Sequence, residues 1–186
     1  MYGELITEKD CRVTDKARSC FFTGHRDIPE SERQPLGERL TGTLERLVRE
    51  GTDTFCAGGA IGFDMLAAQR VLKLKESVSG IKLVLFLPCR DQASAWTHDE
   101  REKYDTILAH ADGIYYVSER YFRGCMYLRN RCLAQNGSTC VCYLKKNSGG
   151  TYYTVRYASG RGARIINLAD GSADEQMGFS DSVFLT

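Results

Sequence analysis

The order of apolar and polar residues alternates between short apolar runs and segments of helical period. The apolar runs predict six strands, at residues 20–24, 54–59, 81–88, 113–118, 138–144 and 163–168. Between them apolar residues recur three and four positions apart, as in Leu36, Leu40, Leu44 and Leu47, which is typical of helices buried on one side. Regular alternation of strand and helix predicts an α/β domain, with an open, mostly parallel sheet and helices on both faces.

The domain limits follow from the same pattern. We expect one domain over residues 19–170, preceded by an N-terminal extension (1–18) and followed by a C-terminal tail (171–186), because 186 residues suit a single domain. No apolar run approaches the roughly 20 residues that a membrane span needs. The first residues carry charges throughout and do not resemble a secretory signal, so we expect a cytoplasmic protein without a membrane partner.

Composition restricts the possible ligands. Lys and Arg number 25 and Asp and Glu 24, so the formal net charge of +1 provides no global field for nucleic acid or an anionic membrane. An anion site must therefore come from a local cluster. The eight cysteines contain no CxxC pair, and we interpret them as buried free thiols and predict no metal site.

Candidate chemistry collects where the predicted strands end. Ligands of parallel sheets bind outside the carboxyl ends of the strands. Two glycine turns, "GGAIG" and "SGGT", each open a predicted helix, and the free N–H groups of a helix start favour phosphate. The candidate ligand-binding residues of this rim are Thr23, Gly24, His25, Arg26, Gly58, Gly59, Gly62, Asp64, Arg129, Asn130, Gly149, Gly150 and Thr151.

Each of these features also has a purely structural interpretation. Gly58, Gly59 and Gly62 could serve only a tight turn with close helix–strand packing, and Arg26 and Arg129 could form surface or capping ion pairs. Two turns together with Arg26 favour a phosphate. The dinucleotide motif GxGxxG fails because Ala57 stands at its first glycine, and there is no P-loop motif, so a nucleotide or sugar phosphate is the expected ligand, with no certain cofactor.

Five ordered motifs give the chain a family resemblance. They are "CFFTGHR", "GGAIGFDMLAA", "LPCRDQASAW", "YLRNRCL" and "SGGTYYTVRYA", and the match runs from about Cys20 to Leu168. In this order they resemble the YpsA-like family of small bacterial proteins. That family belongs to the SLOG superfamily, with DNA-processing protein A and the Lonely Guy phosphoribohydrolases. The resemblance implies a Rossmann-like fold, a pocket for a nucleotide derivative and, since relatives are often dimers, a homodimer.

The two better-known relatives suggest alternative functions. Lonely Guy enzymes cleave nucleoside monophosphates with a PGGxGTxxE motif, but here the glutamate position holds Arg156 or Thr154, which leaves Asp64 or Glu119 as weak candidates for the carboxylate of an N-glycosidic hydrolase. DNA-processing protein A binds single-stranded DNA, which the neutral charge balance does not favour here. The sequence therefore favours binding or sensing of a nucleotide-derived phosphorylated ligand.

Overall fold

The computed structural model describes residues 3–169. Within them the chain forms seven strands and five α-helices. In chain order these are β1 (Glu4–Leu5), β2 (Ser19–Gly24), α1 (Glu30–Arg49), β3 (Thr54–Ala57), α2 (Phe63–Lys75), β4 (Lys82–Leu87), α3 (His98–His110), β5 (Gly113–Tyr116), α4 (Cys125–Asn136), β6 (Thr139–Tyr143), α5 (Gly149–Ser159) and β7 (Arg164–Asn167). All six predicted strands are confirmed.

The strands form one sheet in the order β1-β5-β4-β3-β2-β6-β7, and every pair is parallel. The prediction of an open α/β sheet is confirmed, and the sheet is wholly parallel. From β2 the chain proceeds outward through β3, β4 and β5, then returns to the other side of β2 to form β6 and β7. The order thus reverses between β2 and β6, and such a switch point leaves a crevice at the carboxyl ends of the strands.

Helices cover both faces of the sheet. The apolar sides of α1, α2 and α3 pack on one face, where Leu36, Leu40, Leu44 and Leu47 are buried as predicted. Helices α4 and α5 pack on the other through residues such as Leu133 and Val155. Burial on both faces explains why the central strands are almost continuously apolar.

The N-terminal segment is packed onto the domain. Strand β1 pairs with β5 at the edge of the sheet, with Glu4 opposite Tyr115. The sequence did not predict this strand, because it has two residues and both are exposed. Further along, the buried side chain of Asn136 accepts hydrogen bonds from the backbone N–H groups of Val13 and Thr14. The predicted tail at 171–186 lies outside the described residues.

Two further expectations concern the cysteines and membrane-spanning segments. All eight cysteines are buried free thiols, as predicted. Among residues 3–169, no helix has the length and apolar character needed to cross a membrane.

Candidate functional site

A crevice of about 310 Å³ opens at the switch point between β2 and β6. The residues that line it come from the ends of β2 and β3 and from the starts of α2, α4 and α5. They are Thr23, Gly24, His25, Arg26, Ala60, Asp64, Met126, Arg129, Asn130, Gly150 and Thr151. Nine of the thirteen residues predicted to bind a ligand therefore meet in one place, although they are drawn from four separate segments of the chain.

A buried ion pair lies beneath the crevice. Arg129 Nη1 is 3.2 Å from Asp64 Oδ2, and each side chain is only 7% exposed. Burial raises the pKa of the Asp64 carboxyl, and the charge of Arg129 opposes that rise. Backbone N–H groups of Ala60 and Gly58 also help to keep the carboxylate ionised. Asp64 and Arg129 thus neutralise each other at the start of α2.

Arg129 keeps donor capacity that this pair does not use. Its buried Nε has no hydrogen-bond partner within residues 3–169, and its Nη2 lies 4.0 Å from the sulfur of Met126, a weak acceptor. A buried donor without a partner costs free energy. An acceptor entering the crevice would therefore find Arg129 partly unsatisfied.

The first glycine turn holds the protein's own atoms. A Cβ at position 58 would lie 1.4 Å from Arg129 Nη1, and a Cβ at Gly62 would lie 2.2 Å from the carbonyl oxygen of Arg26. Gly59 has a φ of +64° and faces the side chain of Leu87. These three glycines allow close internal packing, which is the structural interpretation that the sequence left open.

The second glycine turn is open. Gly149 has a φ of +83°, and a Cβ on Gly149 or Gly150 would meet no atom of residues 3–169 within 4 Å. In the described part of the chain the N-cap residue Ser148 makes no side-chain capping hydrogen bond to α5, and the first turn of this helix contains no acidic residue. The N–H groups of this turn and its partial positive charge are therefore available beside Thr151, which lines the crevice.

His25 links β2 to the strand on the other side of the switch point. Its Nε2 accepts a hydrogen bond of 2.9 Å from the backbone N–H of Lys145, so this nitrogen carries no proton. Burial lowers the pKa of His25, and the nearby charge of Lys146 lowers it further, against a smaller opposing effect of Asp27. The imidazole is neutral at pH 7 and positions the loop after β6.

A second contact joins the same loop to α1. The hydroxyl of Tyr143 donates to Glu32, and Lys145 pairs with the same carboxylate. These contacts lower the pKa of Glu32, with the hydrogen bond from Lys145 as the largest cause. Both contacts attach the end of β6 and the loop after it to α1.

The two weak candidates for a catalytic carboxylate lie in different places. Asp64 lines the crevice but is paired with Arg129. Glu119 follows β5, where its carboxylate lies 2.9 Å from Arg90 Nε and its side chain is 58% exposed. In the described lining of the crevice Asp64 is the one carboxylate, and its ion pair with Arg129 occupies it.

Sequence reasoning placed Asp64 and Arg129 in the site without recognising that they pair. The two are 65 positions apart, and neither the helical period nor the glycine turn indicates the contact. Gly58 is the one local signal, because glycine next to the end of a strand leaves space for a side chain arriving from elsewhere.

Comparison with known proteins bears on this fold and crevice. Residues 27–163 match the model of the YpsA family, described as a YspA SLOG family. A UPF0398 protein of Halalkalibacterium halodurans is 32% identical over 118 residues, which is 62% of this chain and 62% of that protein. A UPF0398 protein of Bacillus thuringiensis is 25% identical over 130 residues, covering 68% of this chain and 71% of that one.

Two solved structures share the fold. DNA processing protein A from Streptococcus pneumoniae superposes with a TM-score of 0.58 at 17% identity, over 84% of this chain and 50% of its own. The Helicobacter pylori protein of the same name, which has a single-stranded DNA binding mode, gives a TM-score of 0.57 at 16% identity, over 81% of this chain and 64% of its own. This chain therefore spans about half to two thirds of those structures and 62% of the Halalkalibacterium relative.

Proposed function

The chain belongs to the YspA SLOG family, and from that membership and the shape of its crevice we propose that it binds a nucleotide or nucleotide-derived ligand through a phosphate group. The observation that carries the proposal is the convergence of Arg26, Arg129 and the open start of α5 in one crevice. Arg26 and the start of α5 supply positive potential to this volume, and Arg129, whose charge is balanced by Asp64, adds hydrogen-bond donors that the ion pair does not use.

The arrangement suggests how a phosphate would be held. N–H groups of Gly150 and Thr151 at the helix start would donate to phosphate oxygens, and the Thr151 hydroxyl would add another donor. Arg26 also lines the crevice, and its exposed side chain can reach a bound phosphate from the solvent side. Its guanidinium offers the paired donors that suit a phosphate.

The remaining space suits a small ligand. A volume of about 310 Å³ lies at the lower end of ordinary small-molecule sites, which favours a mononucleotide or a sugar phosphate over a dinucleotide. Asn130 lines the crevice with amide donors and acceptors that can bind a ribose hydroxyl or a base edge.

We propose binding without turnover because neither candidate carboxylate is available for catalysis. Cleavage of a glycosidic bond needs a carboxylate that can act on the leaving group or on water. Asp64 is buried against Arg129, and Glu119 is paired with Arg90 near the ends of β4 and β5. Hydrolase activity is the alternative, and it predicts released base when the protein is incubated with nucleoside monophosphates.

A single-stranded DNA segment is the second candidate ligand of the crevice. It is favoured by the fold shared with the Helicobacter pylori protein, which has a single-stranded DNA binding mode. On this alternative the crevice would hold one nucleotide of a longer strand. An oligonucleotide would then compete with a mononucleotide for the same residues.

Thermal unfolding in the presence of nucleoside monophosphates, sugar phosphates and inorganic phosphate tests the proposal. A ligand at 100 times its Kd stabilises the folded state by about 2.7 kcal/mol, which raises Tm by roughly 5–10 °C in a domain of this size. We expect that rise to disappear in Arg26→Ala and Gly150→Val and to persist in Arg101→Ala, which removes an exposed arginine from α3. No rise with any phosphate compound, or an equal rise in all three variants, would refute the crevice as the binding site.

A further inference from the structure

The charges of this chain are segregated along its sequence. Residues 120–169 contain seven arginines and two lysines and no aspartate or glutamate. The rest of the chain therefore has 16 basic and 24 acidic residues, which hides the excess in the net charge of +1. This basic segment forms α4, β6, α5 and β7. It therefore contains the two strands at one edge of the sheet and the two helices that cover one face.

Aromatic rings and guanidinium groups lie next to each other on the outer side of those helices. The rings of Tyr127 and Tyr153 meet edge to face at 5.1 Å, and Tyr153 stacks on Tyr157 at 6.2 Å. Arg131 lies 5.8 Å from the Tyr157 ring and bonds to the Tyr153 hydroxyl, while Arg161 lies 4.7 Å from the same Tyr157 ring. We call these five residues the tyrosine–arginine stripe.

Helical spacing explains why the stripe faces outward. Tyr127 and Arg131 are four residues apart on α4, as are Tyr153 and Tyr157 on α5, so each pair shares one side of its helix. The opposite side of α5 carries Val155 into the core. The stripe therefore lies on the side of the α4–α5 layer opposite Val155. Tyr127 and Arg161 are exposed there, whereas Arg131, Tyr153 and Tyr157 are half-buried and Tyr157 also packs partly against the core.

The stripe continues into an aromatic loop before α4. Tyr121 is 64% exposed, Phe122 45% and Tyr127 52%, and these are the exposed large aromatic side chains found in the described part of the chain. Arg120 and Arg123 in the same loop are exposed. Exposed rings are costly to leave in water, and three within seven residues indicate a contact surface.

These features select one kind of partner. Exposed rings at Tyr121, Phe122 and Tyr127, together with the exposed Arg123 and Arg161, match a flexible polyanion that carries planar apolar groups. We propose that the tyrosine–arginine stripe and the adjoining loop bind a single strand of nucleic acid, with bases stacked on Tyr127 and the loop aromatics and phosphates near Arg123 and Arg161. Carboxylates also border this surface: Glu8 pairs with Arg131 at 3.3 Å, and Asp91 accepts a hydrogen bond from the backbone N–H of Tyr121 in the loop.

The inference does not rest on the proposed function. The crevice uses the inner side of α4 and the start of α5, whereas the stripe uses their outer sides. Oligonucleotides without a terminal phosphate monoester offer the crevice only internal phosphodiesters, whose contribution Arg26→Ala measures separately. Binding to the stripe can therefore be measured without a terminal-phosphate contribution, and either proposal can fail alone.

The experiment measures binding of dye-labelled oligo-dT and oligo-rU by fluorescence anisotropy at several salt concentrations. We expect Tyr127→Ala to weaken binding about tenfold and Tyr127→Trp to restore it, since a larger ring keeps the stacking face. Arg123→Glu should weaken binding and reduce the slope of log K against log salt by about 0.7 or more. Comparison of the two strands identifies whether DNA or RNA is preferred.

Two control variants change residues outside the stripe. Arg101→Glu makes the same charge change on α3, on the other face of the sheet, and should leave the affinity within about twofold after the general salt effect. Arg26→Ala alters the crevice and serves as the comparison that separates the two sites: binding at the stripe predicts a larger loss in Tyr127→Ala than in Arg26→Ala.

Four results would overturn the proposal. They are no binding at low salt, equal binding of duplex DNA, a loss in Arg26→Ala with none in Tyr127→Ala, and a change from dimer to monomer in Tyr127→Ala without any effect on oligonucleotide binding. The last result would assign the surface to a second copy of this chain.

Discussion

Arg129 Nη1 lies 3.2 Å from Asp64 Oδ2 in the space that the missing side chain of residue 58 leaves open. The pair joins α4 to α2 beneath the crevice, and both partners are almost fully buried. A buried pair of this kind adds little net stability compared with apolar residues, but it becomes costly when one member is removed or displaced. It also fixes the direction of a guanidinium whose Nε has no partner among the described residues.

Gly58→Ala should therefore destabilise the protein by about 3–5 kcal/mol, because the new methyl group occupies the position of the guanidinium and breaks the pair. Gly150→Ala is the matched control. Its Cβ enters open space, and we expect a change within about 1 kcal/mol. Urea unfolding of both variants measures the difference, and equal stability of the two would show that position 58 tolerates a side chain.

Asp64→Asn should leave Arg129 buried without its ionic partner and lower the free energy of unfolding by about 3–5 kcal/mol. The double variant Asp64→Asn with Arg129→Met removes both charges and should lose less stability than the sum of the two single changes. Unfolding of the four proteins gives the coupling energy directly. Additive losses would mean that the two side chains do not interact in solution.

The fold could be predicted because its signals are local. Each strand between residues 19 and 168 is an apolar run, and each helix buries one periodic face, so neighbouring residues are enough to place them. Strand β1 was not predicted, because two exposed residues show no hydrophobic pattern. It forms only because the edge of β5 offers backbone partners, which is a tertiary effect.

The site was predictable in position and not in detail. Parallel strands bring their carboxyl ends together, so the residues after each strand had to meet near the switch point. Residues of the same type then have different roles: Gly58 leaves space for Arg129, whereas Gly150 faces open space. That distinction depends on an arginine 71 positions away. The charge excess of residues 120–169 was visible in the sequence, but the net charge of the whole chain averages it away.

Stability should depend on the protonation of His25. Its Nε2 accepts from the backbone of Lys145, and burial lowers the pKa of His25 below its ordinary value near 6.5. Between the folded and unfolded pKa values the unfolded chain binds more protons, so stability decreases as pH falls through and below about 6.5. His25→Gln should remove this part of the dependence. Thermal unfolding of both proteins between about pH 7.5 and about pH 5.5 should give curves of different slope, and parallel curves would exclude the effect.

Alkylation of the cysteines should be slow in the native protein. All eight thiols are buried, and burial raises the pKa of Cys56 to about 12, so the reactive thiolate is scarce at neutral pH. Iodoacetamide followed by mass spectrometry should find all eight modified in urea and few in the native state. Rapid native modification of Cys56 would contradict its position in the sheet.

The attachment of the N-terminal segment should depend on Asn136. Its side-chain oxygen accepts from the N–H groups of Val13 at 2.9 Å and Thr14 at 3.1 Å, and its amide nitrogen donates to the carbonyls of Cys11 and Cys132. Asn136→Ala removes these bonds from a fully buried position, and each orphaned group costs about 1–3 kcal/mol unless it reaches water. The cheaper response is for the segment to detach and become solvated.

Asn136→Ala should therefore show faster amide hydrogen exchange over residues 6–15 with little change in the central strands. Cys11 provides a second readout, because a hydrogen bond from Cys132 lowers its pKa and detachment would expose a thiol that is buried in the native protein. Native alkylation should then appear at Cys11 before the other cysteines. Asn147→Ala, an exposed asparagine in the loop after β6, is the control and should leave both measurements unchanged. Exchange that is equally slow in both variants would show that β1 and the sheet edge hold the segment without Asn136.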